Sequence, residues 1–127
     1  MAESYSKLLL EDNPIPLLPR LAVKVGLNKA LVLQQVHYWL KHYEERQDQT
    51  HWHRGQWWVW NSYEQWRDDN FPWWSVKTVQ RTFTDLRNEE LLIATSVFNK
   101  KGYDRTLWYT IDYRKLGAIV SLKQNSS

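Results

Sequence analysis

Apolar residues return with helical spacing twice early in the chain, and the polar positions between them set the boundaries. Leu17, Leu18, Leu21, Ala22 and Val25 share one face of a short helix that Gly26 can stop. Asn28 then stands where an N-cap is needed for a longer helix, in which Val32, Val36, Trp39, Leu40 and Tyr43 fall at offsets 0, 4, 7, 8 and 11 and form one stripe. Residues 44–56, EERQDQTHWHRGQ, show no periodicity and predict an exposed loop, and a compact strand is expected over 57–60. Ser62-Tyr63-Glu64-Gln65 has the pattern of a capping box, with hydroxyl and amide each satisfying the other residue's backbone N–H. The helix it launches should last about two turns. Tyr63 and Trp66 give that helix its inner face, and Phe71-Pro72 ends it because the residue before proline disfavours the helical region.

Ser75 repeats the cap, with Trp74 before it and Val79 after it placed for a hydrophobic staple. The helix predicted over 76–90 carries Val76, Val79, Phe83 and Leu86 on one face and polar residues on the other. LLIATSVF and RTLWYTID are then two β-prone runs around a turn of Asn99, Lys100, Lys101, Gly102, Tyr103 and Asp104, which predicts a hairpin with a basic tip. Pro14, Pro16 and Pro19 keep the start of the chain open. The organisation expected is an extended lead-in over 1–15, one domain over 16–116, and a polar tail over 117–127 with one helical turn at most after 113.

Composition narrows the chemistry. With no cysteine among 127 residues there is no disulfide, no Cys-ligated metal and no thiol nucleophile. The apolar run 8–10 stops at Glu11, so neither a signal peptide nor a membrane span is expected, and a cytoplasmic location fits. The nine tryptophans either build the core or form a stacking surface. Trp39, Trp60 and Trp66 fall on or beside inward faces, Trp74 is placed to staple a helix, and Trp108 lies in the hairpin, which favours the core. Trp52 and one of Trp57 and Trp58 are left as candidates for a homodimer interface.

In order, the elements are helix, helix, strand, short helix, tight turn, longer helix and hairpin, a mainly α arrangement with a small antiparallel β-hairpin: a winged helix-turn-helix. At about 100° per residue, a core face centred between Val79 and Phe83 leaves Arg81 almost opposite, flanked by Lys77, Thr78, Thr84 and Asp85, with Asn88 at the far end. Arg81 suits a bidentate contact with guanine, while Ser75, Lys77 and Thr78 lie near the helix N-terminus, where phosphate is favoured. Lys100, Lys101 and Arg105, with Asn99 and Tyr103 beside them, put positive charge where a wing meets the DNA backbone. The net charge of +3 is modest, so affinity must come from local placement of cations, and a homodimer would double the footprint.

No catalysis, metal or cofactor is expected. His51-Trp52-His53 matches the His-hydrophobe-His element with which nicking enzymes hold a divalent metal beside a nucleophilic tyrosine, here Tyr109 or Tyr113, but it lies in polar sequence without a third ligand. His37 and His42 are five apart and share no face, Glu64, Asp68 and Asp69 fit a solvated helix side, and no glycine-rich phosphate loop exists. A winged helix that docks a protein instead of DNA would have much the same sequence.

GLNKALVLQQVHYWL, WVWNSYEQW, FPWWSVKTVQRTFTDLRNEELLI and DRTLWYTIDYRKL, in that order over roughly residues 17–116, resemble the N-terminal winged-helix domain of replication initiator or replisome-organiser proteins of phages and plasmids of Gram-positive bacteria. The resemblance implies binding of double-stranded DNA at an origin, with Ser75, Lys77, Thr78, Arg81, Thr84 and Asn88 in the recognition helix and residues 99–105 in the wing. Such proteins often continue into a region that contacts host replication proteins, whereas this chain ends at Ser127, as a piece of a longer protein or a short regulator of transcription would. Trp58, Trp60, Trp73 and Trp74 stand where such domains more often carry tyrosine or phenylalanine, in keeping with a packing role.

Overall fold

The computed structural model describes the backbone of residues 14–125 and the side chains of residues 14–120, so most of the expected lead-in lies outside the described residues. Helices α1 (Pro19–Val25) and α2 (Leu27–Arg46) are separated by Gly26 alone. Gly26 sits at φ 99° and ψ 152°, which side chains rarely tolerate, and this lets the chain turn between two helices in one residue. Its N–H donates to the Ala22 carbonyl at 2.8 Å, and its carbonyl accepts from Ala30 N–H at 2.9 Å. The expected Asn28 cap is therefore corrected: α2 begins before Asn28, with no side-chain cap. Along α2, Ala30, Val32, Leu33, Val36 and Leu40 are buried, while Trp39 and Tyr43 are only half-buried.

Residues 44–56 are not a loop. Arg46 ends α2, Asp48 caps a 3-10 turn over Gln49–His51, and β1 (Trp52–His53) pairs with β2 (Gln56–Trp57). Arg54 and Gly55 close this hairpin at φ 52° and 75°, the two-residue turn whose twist matches that of the strands. The strand expected over 57–60 is broken at Trp58, which separates β2 from β3 (Val59–Trp60). Trp58 N–H donates to the His51 carbonyl at 2.8 Å and its indole N–H to the His53 carbonyl at 2.9 Å, so the break folds the hairpin back onto its own start.

Both predicted caps are present. Ser62 Oγ accepts from Gln65 N–H at 3.1 Å and opens α3 (Tyr63–Asn70), while Ser75 Oγ accepts from Thr78 N–H at 3.1 Å and opens α4 (Val76–Asn88). α4 buries Val79, Phe83 and Leu86, together with Thr82, whose hydroxyl donates to the Thr78 carbonyl at 2.8 Å. Strands β4 (Leu92–Thr95) and β5 (Trp108–Ile111) then complete an antiparallel sheet of order β3-β5-β4. Val59, Leu92, Tyr109 and Ile111 face the core shared with α2, α3 and α4, so the sheet backs α4 and leaves its polar side outward.

The chain does not end in a single helical turn and a polar tail. α5 (Tyr113–Asn125) crosses the expected boundary at 116. Asp112 caps it, accepting from Lys115 N–H at 2.9 Å, and Leu116, Ile119 and Val120 pack on the core. The fold is mainly helical with two small antiparallel sheets, and no described helix is long and apolar enough to cross a membrane.

Candidate nucleic-acid interface

The outer face of α4 carries the expected set in a graded way. Lys77, Arg81 and Asn88 are exposed and Thr78 and Thr84 half-buried. The Ser75 hydroxyl is committed to the helix end, since it also donates to Thr78 Oγ1 at 3.1 Å, so both hydroxyls are occupied in closing the first turn. The ion pairs among the described residues lie elsewhere: Lys29 with Glu89 at 2.9 Å, Lys115 with Glu90 at 3.0 Å, Lys41 with Glu44 at 3.6 Å, and Arg67 with its neighbour Asp68. Such surface pairs add little stability. Their effect here is electrostatic, because Lys29 and Lys115 offset the two carboxylates just past the C-terminal end of α4.

Between β4 and β5 the connection spans residues 96–107, longer than the turn expected at 99–104. Asn99 organises it. Its amide donates to the Asp104 carbonyl at 2.8 Å and the Thr106 carbonyl at 2.9 Å, and its Oδ1 accepts from the Trp108 indole at 2.7 Å. Of the five residues expected to contact DNA here, Asn99 thus acts as a bracket that shapes the loop. Asp104 also works inward: Thr106 N–H donates to its carboxylate at 2.9 Å and holds the carboxyl below its ordinary pKa. Lys100, Lys101, Tyr103 and Arg105 project outward, with the Lys101 ammonium 5.7 Å from the Tyr103 ring centroid. None of these three cations, nor Lys77 or Arg81, has a carboxylate within ion-pair distance among the described residues.

A column of rings on the outer side of the sheet escaped the sequence reading. His51 is sandwiched between Tyr43 at 3.4 Å and Trp60 at 4.3 Å, and Trp60 leans on Trp108 at 4.5 Å. Beside them His53 stacks on Phe98 at 4.4 Å, and the Arg54 guanidinium lies 5.6 Å from the same ring centroid. The signal available was the density of aromatic residues around the two histidines, which suits imidazoles used as flat packing groups. Each imidazole also donates to a backbone carbonyl, His51 Nδ1 to Trp58 at 2.8 Å and His53 Nε2 to Thr50 at 3.0 Å. Tyr109 is buried with its hydroxyl donating to Tyr63 at 3.2 Å, and the Tyr113 hydroxyl is paired with His37 Nδ1 at 2.8 Å and pushed up to about 12, chiefly by burial. Among the described residues no group of three His, Asp or Glu could hold a metal ion. Trp52 and Trp57 remain at least partly accessible, whereas Trp58 is buried and drops out as an interface candidate.

Burial pushes the His51 pKa below its ordinary value, against the smaller opposing effects of the Trp58 carbonyl and Asp48, and burial does the same to His37. The unfolded chain then takes up protons first, near pH 6.5. Stability should be complete above about pH 6.5 and fall as the pH drops from there towards the depressed folded values. Urea midpoints should therefore be lower at pH 5.5 than at 7.5, with less pH dependence in His51→Phe. Equal pH dependence in both proteins would contradict the assignment to His51.

No protein-family model matches the chain, and comparisons with curated proteins and with solved structures give no match.

Proposed function

We propose that this domain is a winged helix-turn-helix that binds double-stranded DNA, with α4 in the major groove and the β4–β5 loop as the wing on the backbone. The observation that carries the reading is the set of uncompensated cations. Lys77 and Arg81 on α4 and Lys100, Lys101 and Arg105 on the loop have no ion-pair partner among the described residues and fall on the helix and the loop that a winged helix-turn-helix presents to DNA, although Arg20, Lys24, Arg46, Arg54, Arg87 and Arg114 elsewhere are unpaired as well. The chain order of α3, α4, β4 and β5, with β3 added to the sheet, supports the winged arrangement. Arg81 reads a guanine edge, and the loop cations hold phosphates without reading sequence. The resemblance to replication initiators makes origin recognition, in the cytoplasm, the preferred setting, with host replication proteins as further partners. A transcriptional regulator would use the same contacts.

Affinity for duplex DNA should fall steeply with salt, and Lys100→Ala or Lys101→Ala should each lower the logarithmic salt slope by about 0.9 with sequence preference intact. Arg81→Ala should instead cost about 1–3 kcal/mol of discrimination at its base pair. Selection of bound duplexes from random DNA, followed by titration of the three variants, checks both effects. An absence of duplex binding at low salt would reject the reading in favour of protein docking through the same surface.

A further inference from the structure

We propose that the β1–β2 hairpin is a second cationic finger of the same interface, in which Arg54 grips a DNA backbone phosphate beside those held by the β4–β5 loop. The inference rests on the DNA-binding reading above. His53 stacks on Phe98 at 4.4 Å and the Arg54 guanidinium lies 5.6 Å from the centroid of the same ring, so the hairpin tip is docked on the root of the β4–β5 loop. Phe98 precedes Lys100 by two residues, and consecutive Cα atoms are about 3.8 Å apart, so the two Cα atoms are within about 7.6 Å. Duplex DNA presents a negative charge about every 1.7 Å of its axis, so neighbouring cations at this spacing can each find a phosphate.

Charge and conformation point the same way. Neither residues 49–63 nor residues 91–103 contain an aspartate or glutamate, and Arg54 has no ion-pair partner among the described residues. Arg54 also occupies φ 52°, a left-handed turn position that favours glycine or asparagine, so the backbone conformation gives no reason for an arginine there. The backbone beneath it is held by the His51–Trp58 hydrogen bonds and the Tyr43–His51–Trp60 stack. An aromatic ring under a guanidinium leaves its N–H fork free for a phosphate while limiting its motion.

The test measures affinity for a mixed-sequence duplex as a function of salt with the wild type, Arg54→Gln, Arg54→Lys and Arg20→Gln. Arg20→Gln removes the same charge from α1, where Arg20 is exposed. Arg54→Gln should lower the salt slope by about 0.9, which amounts to about eight-fold weaker binding at 0.1 M salt. Arg54→Lys should restore the slope, and Arg20→Gln should leave it unchanged. If the wild type binds but Arg54→Gln behaves like Arg20→Gln, the finger is wrong and the DNA-binding reading survives. A loss in Arg54→Lys as large as in Arg54→Gln would assign the effect to packing on Phe98 and overturn the phosphate contact. Failure of the wild type to bind duplex at the lowest salt overturns both.

Discussion

Phe83→Ala is expected to remove about 3–5 kcal/mol of stability, the range for truncating a fully buried aromatic residue. The Phe83 side chain has no exposed surface, and its ring meets Trp66 at 5.2 Å, Tyr109 at 4.9 Å and Tyr63 at 6.0 Å. These partners come from α3 and β5, so one ring joins the helix pair to the sheet. Domains of this size hold about 5–15 kcal/mol in all, so the variant should lose a large share of its stability. Arg81, two residues earlier and on the opposite side of α4, touches none of this, and Arg81→Ala should change stability by no more than about 0.5 kcal/mol. Urea unfolding of the two variants measures the contrast. A Phe83→Ala protein within 1 kcal/mol of the wild type would be incompatible with a ring closed in by α3 and β5.

That contrast between two faces of α4 was legible in the sequence, because the spacing of Val79, Phe83 and Leu86 and the Ser75 cap are local signals that tertiary packing reinforces. The same holds for the Ser62 box and for the order of the hairpin strands. Thr82 was not legible. It is buried although polar, since its hydroxyl is satisfied within the helix by the Thr78 carbonyl, and a reading of apolar positions cannot see that. α5 had a readable start in Asp112 and an apolar set in Leu116, Ile119 and Val120, but Gly117 and the polar residues around it weakened the pattern.

The β1–β2 hairpin was hidden for a different reason. Its strands are two residues long, too short for alternation to register, and its turn is Arg54-Gly55 instead of the Asn-Gly or Asp-Gly that marks such turns. What orders it is non-local: Tyr43 from α2, Trp60 from β3 and Phe98 from the β4–β5 loop converge on two histidines. For the candidate site, exposure of Lys77, Arg81, Lys100, Lys101 and Arg105 followed from pattern and charge. The bracket role of Asn99 did not, because it depends on carbonyls that come together only when the loop has folded.

Asn70 is another polar residue that pattern alone places outside the core, and Asn70→Ala should be the second most damaging change. Its Oδ1 accepts from Gln35 Nε2 at 2.8 Å and from the Trp39 indole at 3.0 Å, pinning the end of α3 to α2 at a site only 2% exposed. Truncation would strand the buried Gln35 amide, which costs about 1–3 kcal/mol without a partner, and would free the half-buried Trp39 indole at a smaller cost. The two donors accepted by Oδ1 also settle the amide's orientation and leave Nδ2 with no acceptor in the protein, so Asn70 already carries one unmatched hydrogen-bonding group. The cost therefore belongs to the network and not to the volume of one amide. In a Gln35→Leu, Trp39→Phe background, where the donors are gone, Asn70→Ala should cost less by about 0.5–3 kcal/mol, the coupling typical of contacting residues. Urea unfolding of the four proteins in this cycle gives the coupling directly. Additive costs would show that the three side chains do not act together.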